Sequence, residues 1–434
     1  MGVSCLAPET ARMEALAPED ASMPSKKNLA ACVAVFSVIV GSLAITTPLS
    51  AAAKEKVLHR FCSAHNCADG DGPVAGVIFD EAGNLYGTTS IYNVVFELTP
   101  NNGRWTENVL HSFNPNGKEG YELDAALIMD RAGNLYGTTA RGGASGNGTV
   151  FELILNDGKW TCKVLHNFDG KYGSLPMASL ILDGKGNLYG TTYYGGIISK
   201  RCPAGCGTVF ELTPGANGKW SERVLHTFTG YADGALPWAG LMADSNGNLY
   251  GTTEYGGDEG CFQDGYPYGC GTVFELTPTG GKWTGKVLHS FTLSEGIYPL
   301  ASLVSDTAGN LYGSAYEGGG GTCDEGCGMV FELTPNNGKW TEKVLHYFDG
   351  KYGGHPAATL IFDGTGNLYG TAGVVFELTP NNGEWTEKVL YNFKGGKDGL
   401  YPVAGLVFDS SGDLFGTTYL GGINDDGTVF EITP

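Results

Sequence analysis

Glutamate and histidine, which bind metal ions and transfer protons in many proteins, recur in this chain at repeated places. Seven glutamates each follow a hydrophobic Val-Phe pair: Glu97, Glu152, Glu211, Glu275, Glu332, Glu377 and Glu431. Six histidines each end a Val-Leu-His phrase, and a tyrosine takes the seventh place: His59, His111, His166, His226, His289, His346 and Tyr391. Such ladders could form a metal site or an acid–base set if the fold brings them together.

The elements that carry these residues follow from a repeat. The phrase Gly-Asn-Leu-Tyr-Gly-Thr, with small changes, starts at seven places: Gly83, Gly133, Gly186, Gly247, Gly309, Gly366 and Gly412. Each copy has four β-like segments, of the types Pro-x-Ala-x-Leu-x-x-Asp, Leu-Tyr-Gly-Thr-Thr, Val-Phe-Glu-Leu-Thr-Pro and Trp…Val-Leu-His-x-Phe, which Asp, Asn and Gly turns separate. This pattern predicts an all-β fold, a seven-bladed β-propeller of four-stranded antiparallel blades over residues 54–434. A parallel β-helix competes, but its period is shorter.

The repeat is out of phase at the ends of the chain. The last copy stops after its third segment at Pro434, and a fourth segment stands before the first copy as Val57-Leu58-His59-Arg60-Phe61. We therefore expect residues 56–61 to complete blade 7 as its outer strand, which closes the ring and removes an exposed sheet edge.

Small residues indicate which segment lies nearest the axis. The first segment has alanine at the same place in every copy: Ala75, Ala125, Ala178, Ala239, Ala301, Ala358 and Ala404. Blades converge at the axis, so this segment is the inner strand a, and the Trp-bearing segment is the outer strand d. With strands about 4.8 Å apart, neighbouring ladder histidines would be on the order of 18 Å apart and the glutamates about 14 Å apart. Neither ladder can converge on one ion, and we expect structural roles, such as the glutamate bonding to the threonine after the tryptophan.

The loops between strands b and c differ most between copies. They are minimal in blades 1 and 6, and they are long, rich in tyrosine and cysteine-bearing in blades 3, 4 and 5, over residues 193–207, 254–271 and 315–328. Loops b–c and d–a leave a propeller on the same face. Function is expected where copies differ, so this loop face is the predicted binding surface.

Several residues of that face are candidate ligand contacts. Tyr298, His355 and Tyr401 come just before strand a, with Asp124 and Trp238 just inside it, and the long loop of blade 4 adds Tyr255 and Tyr266. Aromatic rings beside acidic loop residues suit sugar stacking or a calcium ion, and these acidic residues are Asp169, Asp233, Glu295, Asp349 and Asp398. Channel plugging by Trp238 and a plain surface position for His355 are the structural alternatives. We predict no other cofactor, and no catalytic residues stand out as a motif.

Composition limits the partners and the compartment. The chain of 434 residues has a formal net charge of -20, which argues against nucleic acid and anionic membrane as partners. Lys26, Lys27 and the apolar run from Leu29 to Ile45 resemble a signal peptide, so we assign residues 1–53 to an extension and signal peptide that truly starts at Met23. A secreted, periplasmic or cell-surface monomer without membrane insertion after cleavage is expected, and an uncleaved membrane anchor is the alternative.

Cysteine spacing agrees with export. Four close pairs favour disulfides over zinc: Cys62 with Cys67, Cys202 with Cys206, Cys261 with Cys270, and Cys323 with Cys327. Cys162 has no partner in this scheme and stands in a place that usually holds glutamate, so we expect a free, partly shielded thiol.

The phrases at Gly186 to Thr192, Gly195-Gly196 and Gly207 to Leu212 resemble the GloVer repeat of the choice-of-anchor tandem repeat family. The resemblance covers roughly residues 54–434. It implies a secreted bacterial protein, often with a C-terminal sorting anchor, and it brings no established activity or catalytic residue.

These observations together predict an exported, non-enzymatic binding propeller with a glycan or an extracellular protein as its ligand on the loop face. The alternative is a propeller enzyme, a lyase, lactonase or glycoside-acting hydrolase with a metal ion at the channel mouth. A purely structural surface protein is the third reading.

Overall fold

The repeated phrases fold as β-strands, four to each repeat. The computed structural model describes residues 53–434 apart from 258–259, 264–265 and 324. The predicted extension and signal peptide lies outside the described residues, except for residue 53. The described part contains no helix that is long and apolar enough to cross a membrane.

Seven sheets have the strand order a-b-c-d, and neighbouring strands are antiparallel. Strand a spans Ile78–Phe79, Ile128–Met129, Ile181–Leu182, Met242–Ala243, Val304–Ser305, Ile361–Phe362 and Val407–Phe408. Strand b spans Leu85–Thr89, Leu135–Thr139, Leu188–Thr192, Leu249–Thr253, Leu311–Ala315, Leu368–Thr371 and Leu414–Thr418. Strand c spans Val94–Asn101, Thr149–Asn156, Thr208–Pro214, Thr272–Thr279, Met329–Asn336, Val374–Asn381 and Thr428–Thr433. Strand d spans Arg104–Ser112, Lys159–Asn167, Trp220–Thr227, Lys282–Ser290, Lys339–Tyr347, Glu384–Asn392 and, for blade 7, Lys54–Arg60.

Four small elements lie outside the blades. A two-stranded hairpin of Phe262–Gln263 and Tyr266–Pro267 stands in the b–c loop of blade 4. Single 3₁₀ turns occupy His65–Cys67, Ala216–Gly218 and Gly396–Asp398.

Blade 7 combines both ends of the described chain. Strand d of this blade, Lys54–Arg60, pairs antiparallel with Thr428–Thr433, from Lys54 opposite Thr433 to Arg60 opposite Thr428. The strand begins two residues before the predicted 56–61 segment and ends one residue earlier. It ends there because Phe61 turns into the core, where its ring is 2% exposed and its N–H bonds to Gly427 O. The predicted seven-bladed propeller is confirmed.

Hydrogen bonds around the axis join each blade to the next. A strand b hydroxyl donates to a carbonyl of the inner segment of the following blade in all seven junctions, and in six of them the acceptor is the recurring alanine. The bond from Thr417 Oγ1 to Ala75 O, at 3.0 Å, joins blade 7 to blade 1. The ladder part of strand a is only two residues long, because the alanine segment before it faces the neighbouring blade.

The glutamate ladder has a local role that differs from the predicted one. In blade 1 the Tyr86 hydroxyl lies 2.8 Å from Glu97 Oε1 and 3.1 Å from Asp80 Oδ2. The Asp80 carboxylate also accepts the backbone N–H groups of Ala82 and Asn84 and so closes the a–b turn. Six blades share the tyrosine–glutamate bond, and blade 7 has Phe415 in place of the tyrosine. The expected bond to the threonine after the tryptophan is wrong, since the glutamate faces strand b and the turn.

Glycine in the middle of strand b allows the core phenylalanine of strand c to pack against the backbone. A methyl group on Gly251 would lie 2.6 Å from Cζ of Phe274 and 3.2 Å from Leu241. The same approach recurs in every blade, at Gly87, Gly137, Gly190, Gly313, Gly370 and Gly416. The central glycine of the repeated phrase is therefore a packing requirement of each blade.

We expect Gly251→Ala to lower the free energy of unfolding by about 1–3 kcal/mol, the usual cost of overpacking a core. Gly184→Ala is the matched control, since a methyl group there meets nothing within 4 Å. Urea unfolding of both variants measures the difference. In a Phe274→Leu background the cost of Gly251→Ala should shrink, and strictly additive costs would contradict the proposed clash.

Candidate functional site

The loop face is built where the b–c loop of one blade meets the d–a segment of the next. Backbone N–H groups of Leu236, Tyr298 and His355 donate to the carbonyls of Cys206, Cys270 and Cys327 at 2.8, 3.1 and 2.8 Å. Each acceptor is a cysteine at the end of a long loop. The structure forms all four predicted disulfides, Cys62–Cys67, Cys202–Cys206, Cys261–Cys270 and Cys323–Cys327, and leaves Cys162 free and half-buried. The three loop disulfides thus fix the carbonyls that hold the channel-mouth residues.

A left-handed backbone position precedes strand a in every blade. The seven residues and their φ angles are Gly72 (61°), Glu122 (61°), Leu175 (53°), Leu236 (55°), Tyr298 (57°), His355 (58°) and Tyr401 (56°). Residues other than glycine rarely adopt this region, and the residue before a proline is also restricted. The predicted contacts Tyr298, His355 and Tyr401 each stand in this conformation with proline next in the chain. Sequence patterns did not reveal it, because leucine, tyrosine and histidine give no signal for a positive φ.

Trp238 and Asp124 face the channel as predicted neighbours of strand a. The half-buried Trp238 ring packs edge-on against Tyr193 at 5.5 Å, and the Tyr193 hydroxyl donates to Glu254 at 2.7 Å. Asp124 accepts a 2.5 Å hydrogen bond from Ser90 Oγ. Desolvation raises the pKa of Asp124, although the Ser90 bond and the charge of Arg141 act in the opposite direction.

The other predicted contacts do not form one exposed platform. Tyr255 and Tyr298 are only 6% and 5% exposed and pack against each other at 5.2 Å within the core. Half-buried His355 lies over the Tyr316 ring at 4.8 Å, its Nδ1 is 3.2 Å from Tyr316 O, and desolvation lowers its pKa. Tyr401 is also half-buried, and Tyr266 lies on the small hairpin of blade 4.

The acidic d–a residues lie beside the histidine ladder instead of the channel mouth. Asp233 pairs with His226 at 3.5 Å, Glu295 lies 3.8 Å from His289, and Asp398 accepts the Tyr391 hydroxyl at 3.1 Å. Asp169 and Asp349 cap the turns that follow them through backbone N–H groups. A d–a segment begins at the outer strand, so its first carboxylate stays at the periphery. The expected group of these five carboxylates around a calcium ion or sugar at the mouth is therefore not what the structure brings together.

The histidine ladder meets a carboxylate that sequence reasoning missed. Each ladder residue faces the Trp-Thr-Glu position of strand d in the following blade, as His59 faces Glu107 and His166 faces Glu222. Desolvation and the neighbouring Asp69 raise the pKa of Glu107 to about 8, and desolvation lowers the pKa of His59 to about 4. These separations are ion-pair distances, but burial disfavours both charges, so we describe the pairs as neutral near pH 6. The recurrence of this glutamate once per repeat was the available signal.

The largest exposed hydrophobic side chains of the described residues gather on the loop face. Nine of the twelve belong to its loops: Ile91, Tyr92, Tyr172, Ile197, Ile198, Tyr231, Leu293, Tyr352 and Ile423. Four of these, Tyr172, Ile197, Ile198 and Tyr231, surround the b–c loop of blade 3, and we call them the blade-3 patch.

Cations frame the blade-3 patch. The Lys171 ammonium lies 4.6 Å from the Tyr172 ring centre, and the Arg201 guanidinium lies 4.5 Å from that of Tyr231. Gly196 N–H donates to Lys171 O at 3.0 Å, so the b–c loop and the preceding d–a loop are joined. Exposed Lys200 adds a third positive charge within a chain of net charge -20.

Similar structures share the fold at low identity. The extracellular domain of a hybrid two-component system from B. thetaiotaomicron is 10% identical over 86% of this chain, with a TM-score of 0.52, and the chain spans 39% of that domain. A protein described as a 6-phosphogluconolactonase from Bacteroides uniformis is 13% identical over 77% of this chain and 88% of its own, with a TM-score of 0.49. No curated protein matches the sequence significantly.

The family model of the Gloeobacter/Verrucomicrobia repeat matches residues 49–263 and 259–434. These two matches together span all seven blades. The protein is therefore a member of the Gloeobacter/Verrucomicrobia repeat family.

Proposed function

We propose that this protein is an exported, non-enzymatic binding propeller that recognises an extracellular protein through the blade-3 patch. The carrying observation is the exposure of Ile197, Ile198, Tyr172 and Tyr231, at 44%, 74%, 48% and 48%, on one disulfide-pinned loop and its two neighbours. Exposed apolar groups gathered in this way are typical of interaction surfaces. Disulfides of this number also support an oxidising compartment.

The chemistry of the patch favours a protein over a glycan. Isoleucine side chains offer neither hydrogen bonds nor a flat face to a sugar ring, whereas apolar contacts with a tyrosine and an arginine are frequent centres of protein interfaces. The cations Lys171, Lys200 and Arg201 would suit a partner surface with acidic groups beside apolar ones. Tyr172 and Tyr231 are already held by their cations, which lowers the ordering cost of binding.

We expect Ile198→Asp and Arg201→Glu each to weaken capture of the partner by at least about tenfold, the usual effect of a central interface residue. The measurement is quantitative mass spectrometry of extracellular proteins retained by the immobilised propeller, followed by a titration of the purified partner. Leu155→Asp is the matched control, because Leu155 is 52% exposed on the c–d turn at the opposite face.

Two outcomes would overturn the proposal. Retention that is the same for Ile198→Asp, Arg201→Glu and Leu155→Asp would place the partner elsewhere. Binding on a glycan array that Tyr231→Ala abolishes and Ile198→Asp leaves intact would make the ligand a sugar. The enzyme alternative predicts turnover that a chelator abolishes.

A further inference from the structure

The outer junctions between blades bring histidine, aspartate and glutamate into small clusters that the proposed binding function does not use. At the junction of blades 7 and 1, His59 Nε2 lies 3.7 Å from Asp69 Oδ2 and 4.0 Å from Glu107 Oε2. The three side chains are 13%, 3% and 12% exposed. One ligand atom from each residue lies within 4.8 Å of the other two.

The same arrangement recurs at two further junctions. His289, Glu295 and Glu342 form a cluster between blades 4 and 5, with His289 Nε2 3.8 Å from Glu295 Oε2. Between blades 1 and 2, His111 Nε2 lies 2.9 Å from Glu119 Oε2, and the free Cys162 supplies sulfur where the other junctions have glutamate.

Hydrogen bonding in these clusters is incomplete in a way that points to a ligand. Buried atoms that have no hydrogen-bond partner among the described residues include His59 Nε2 and Glu107 Oε1 at one junction, and His289 Nε2 and Glu342 Oε1 at another. Buried polar atoms are rarely left without a partner, and an unmodelled ion is one of the standard reasons. The cluster therefore has donor atoms directed at a space between them.

The surroundings also hold the donor groups in place. The Asp69 carboxylate accepts Ser63 N–H, Ser63 Oγ and Ala64 N–H at 2.8, 2.7 and 3.1 Å, in the loop that the Cys62–Cys67 disulfide closes. The His59 ring packs edge-on against Phe61 at 4.8 Å. Outer contacts of this kind orient metal ligands in known sites.

We propose that these three junctions are divalent metal sites of the zinc class, each with three protein ligands and an open position. Imidazole with carboxylate or thiolate suits Zn²⁺, whereas Ca²⁺ needs six to eight oxygen ligands, more than a junction offers. Zn²⁺ bonds of about 2.0–2.2 Å place tetrahedral ligand atoms roughly 3.3–3.5 Å apart, so closure of the first cluster requires shifts of well under 1 Å. Bound at His59, the ion would link the closing strand of the ring to blade 1.

The chain itself supplies a control junction. Between blades 3 and 4, His226 pairs with Asp233, but Gly285 stands where the third ligand would be, 3.3 Å from the His226 ring when a methyl group is placed on it. The ladder position is the same, and only the third ligand is missing. Loss of metal on His226→Gln would thus report adventitious surface binding.

The experiment loads chelator-stripped full-length protein with Zn²⁺ and counts the ions retained after dialysis by elemental mass spectrometry. We expect His59→Gln, His289→Gln and Cys162→Ser each to lose one ion per chain, and His226→Gln to lose none. Saturating Zn²⁺ should raise the Tm of the wild type by at least about 5 °C by linkage, and each variant should lose part of that shift. With Co²⁺, the sulfur-to-metal absorption band should vanish in Cys162→Ser and persist in His59→Gln.

Circular dichroism in chelator establishes that each variant is folded, and Glu107→Gln, which keeps the side-chain volume, provides a second test of the first junction. The proposal is overturned if the wild type retains no Zn²⁺ after dialysis. It is also overturned if His226→Gln loses as many ions as His59→Gln, or if Glu107→Gln binds as the wild type does.

Discussion

Deletion of residues 53–60 is expected to prevent the propeller from reaching a stable native state. Strand d of blade 7 supplies six paired positions to Thr428–Thr433, and it is the only covalent tie of that blade to the segment before blade 1. Its loss exposes the edge of strand c and the core around Phe61, Phe96 and Val429, which share one cluster. A domain is stable by only about 5–15 kcal/mol, and loss of a whole strand with ring closure exceeds that margin. Tm and native-state proteolysis measure the result, which should be aggregation or rapid digestion at 37 °C.

A circular permutant separates ring closure from the mere presence of these residues. The chain would start at Asp71, and Pro434 would connect to Ala53 through Asn-Asn-Gly-Lys, the turn that joins strands c and d in blade 5. In blade 5 the central Asn337 and Gly338 both have positive φ, 49° and 80°, as a tight hairpin of this kind needs. We expect this permutant to fold with a Tm within a few degrees of the wild type. A deletion variant that melts cooperatively at the wild-type temperature would show that closure contributes little.

The ring was predictable because the chain records its own pairing seven times. The out-of-phase segment at Val57 to Phe61 has the same Val-Leu-His-x-Phe pattern as the strands it had to resemble, so its place followed from comparison within one sequence. The mid-strand glycine was readable for the same reason, and the structure gives its cause in the approach of Phe274 to Gly251. Only the length of strand a differed, because its alanine segment bonds to the adjacent blade instead of its own.

The neighbours of the histidine ladder were not predictable from spacing. Strand geometry excluded contact between histidines of different blades, but it did not say what each histidine faces. His59 and Glu107 are 48 positions apart and meet only because consecutive blades pack at a fixed angle. Likewise, Tyr255 and Tyr298 read as loop aromatics, but the left-handed backbone at Tyr298 directs its ring against Tyr255 in the core. Inter-blade packing, which the repeat does not encode locally, decided both.

The unfolding free energy of the protein should depend on pH through the junction glutamates. Desolvation, with a smaller contribution from Asp169, raises the pKa of Glu222 to about 7 from 4.5. Desolvation and Asp349 do the same for Glu387, also to about 7. The folded state then binds more protons than the unfolded state between these values, so each carboxyl loses stability as the pH rises from about 4.5 through 7. The pKa values of His166 and His346 are lowered by desolvation, which acts in the opposite sense below pH 6.5.

Glutamine at both junctions isolates the carboxyl contribution, because glutamine does not titrate and the histidines remain. Relative to the wild type, Glu222→Gln with Glu387→Gln should be near neutral at pH 5 and stabilising at pH 8.5, with a difference of about 2 kcal/mol for each site. Urea unfolding across this range in chelator-containing buffer measures the change, and Glu384→Gln, at an exposed turn position, should give a flat difference.

The opposite slope has an equally definite meaning. If His166 and Glu222, 3.5 Å apart, form a true ion pair, the folded pKa of the glutamate lies below 4.5 and that of the histidine above 6.5. Glutamine would then cost most near pH 6 and least at pH 8.5, since the wild-type pair would exist only while the histidine is charged. The buried His166 Nε2 and Glu222 Oε1, which lack a partner among the described residues, favour the neutral pair, because a charged group left partly unbonded in that site costs more than a neutral one. The sign of the pH dependence therefore reports which protonation state the seven outer junctions of this ring were built around.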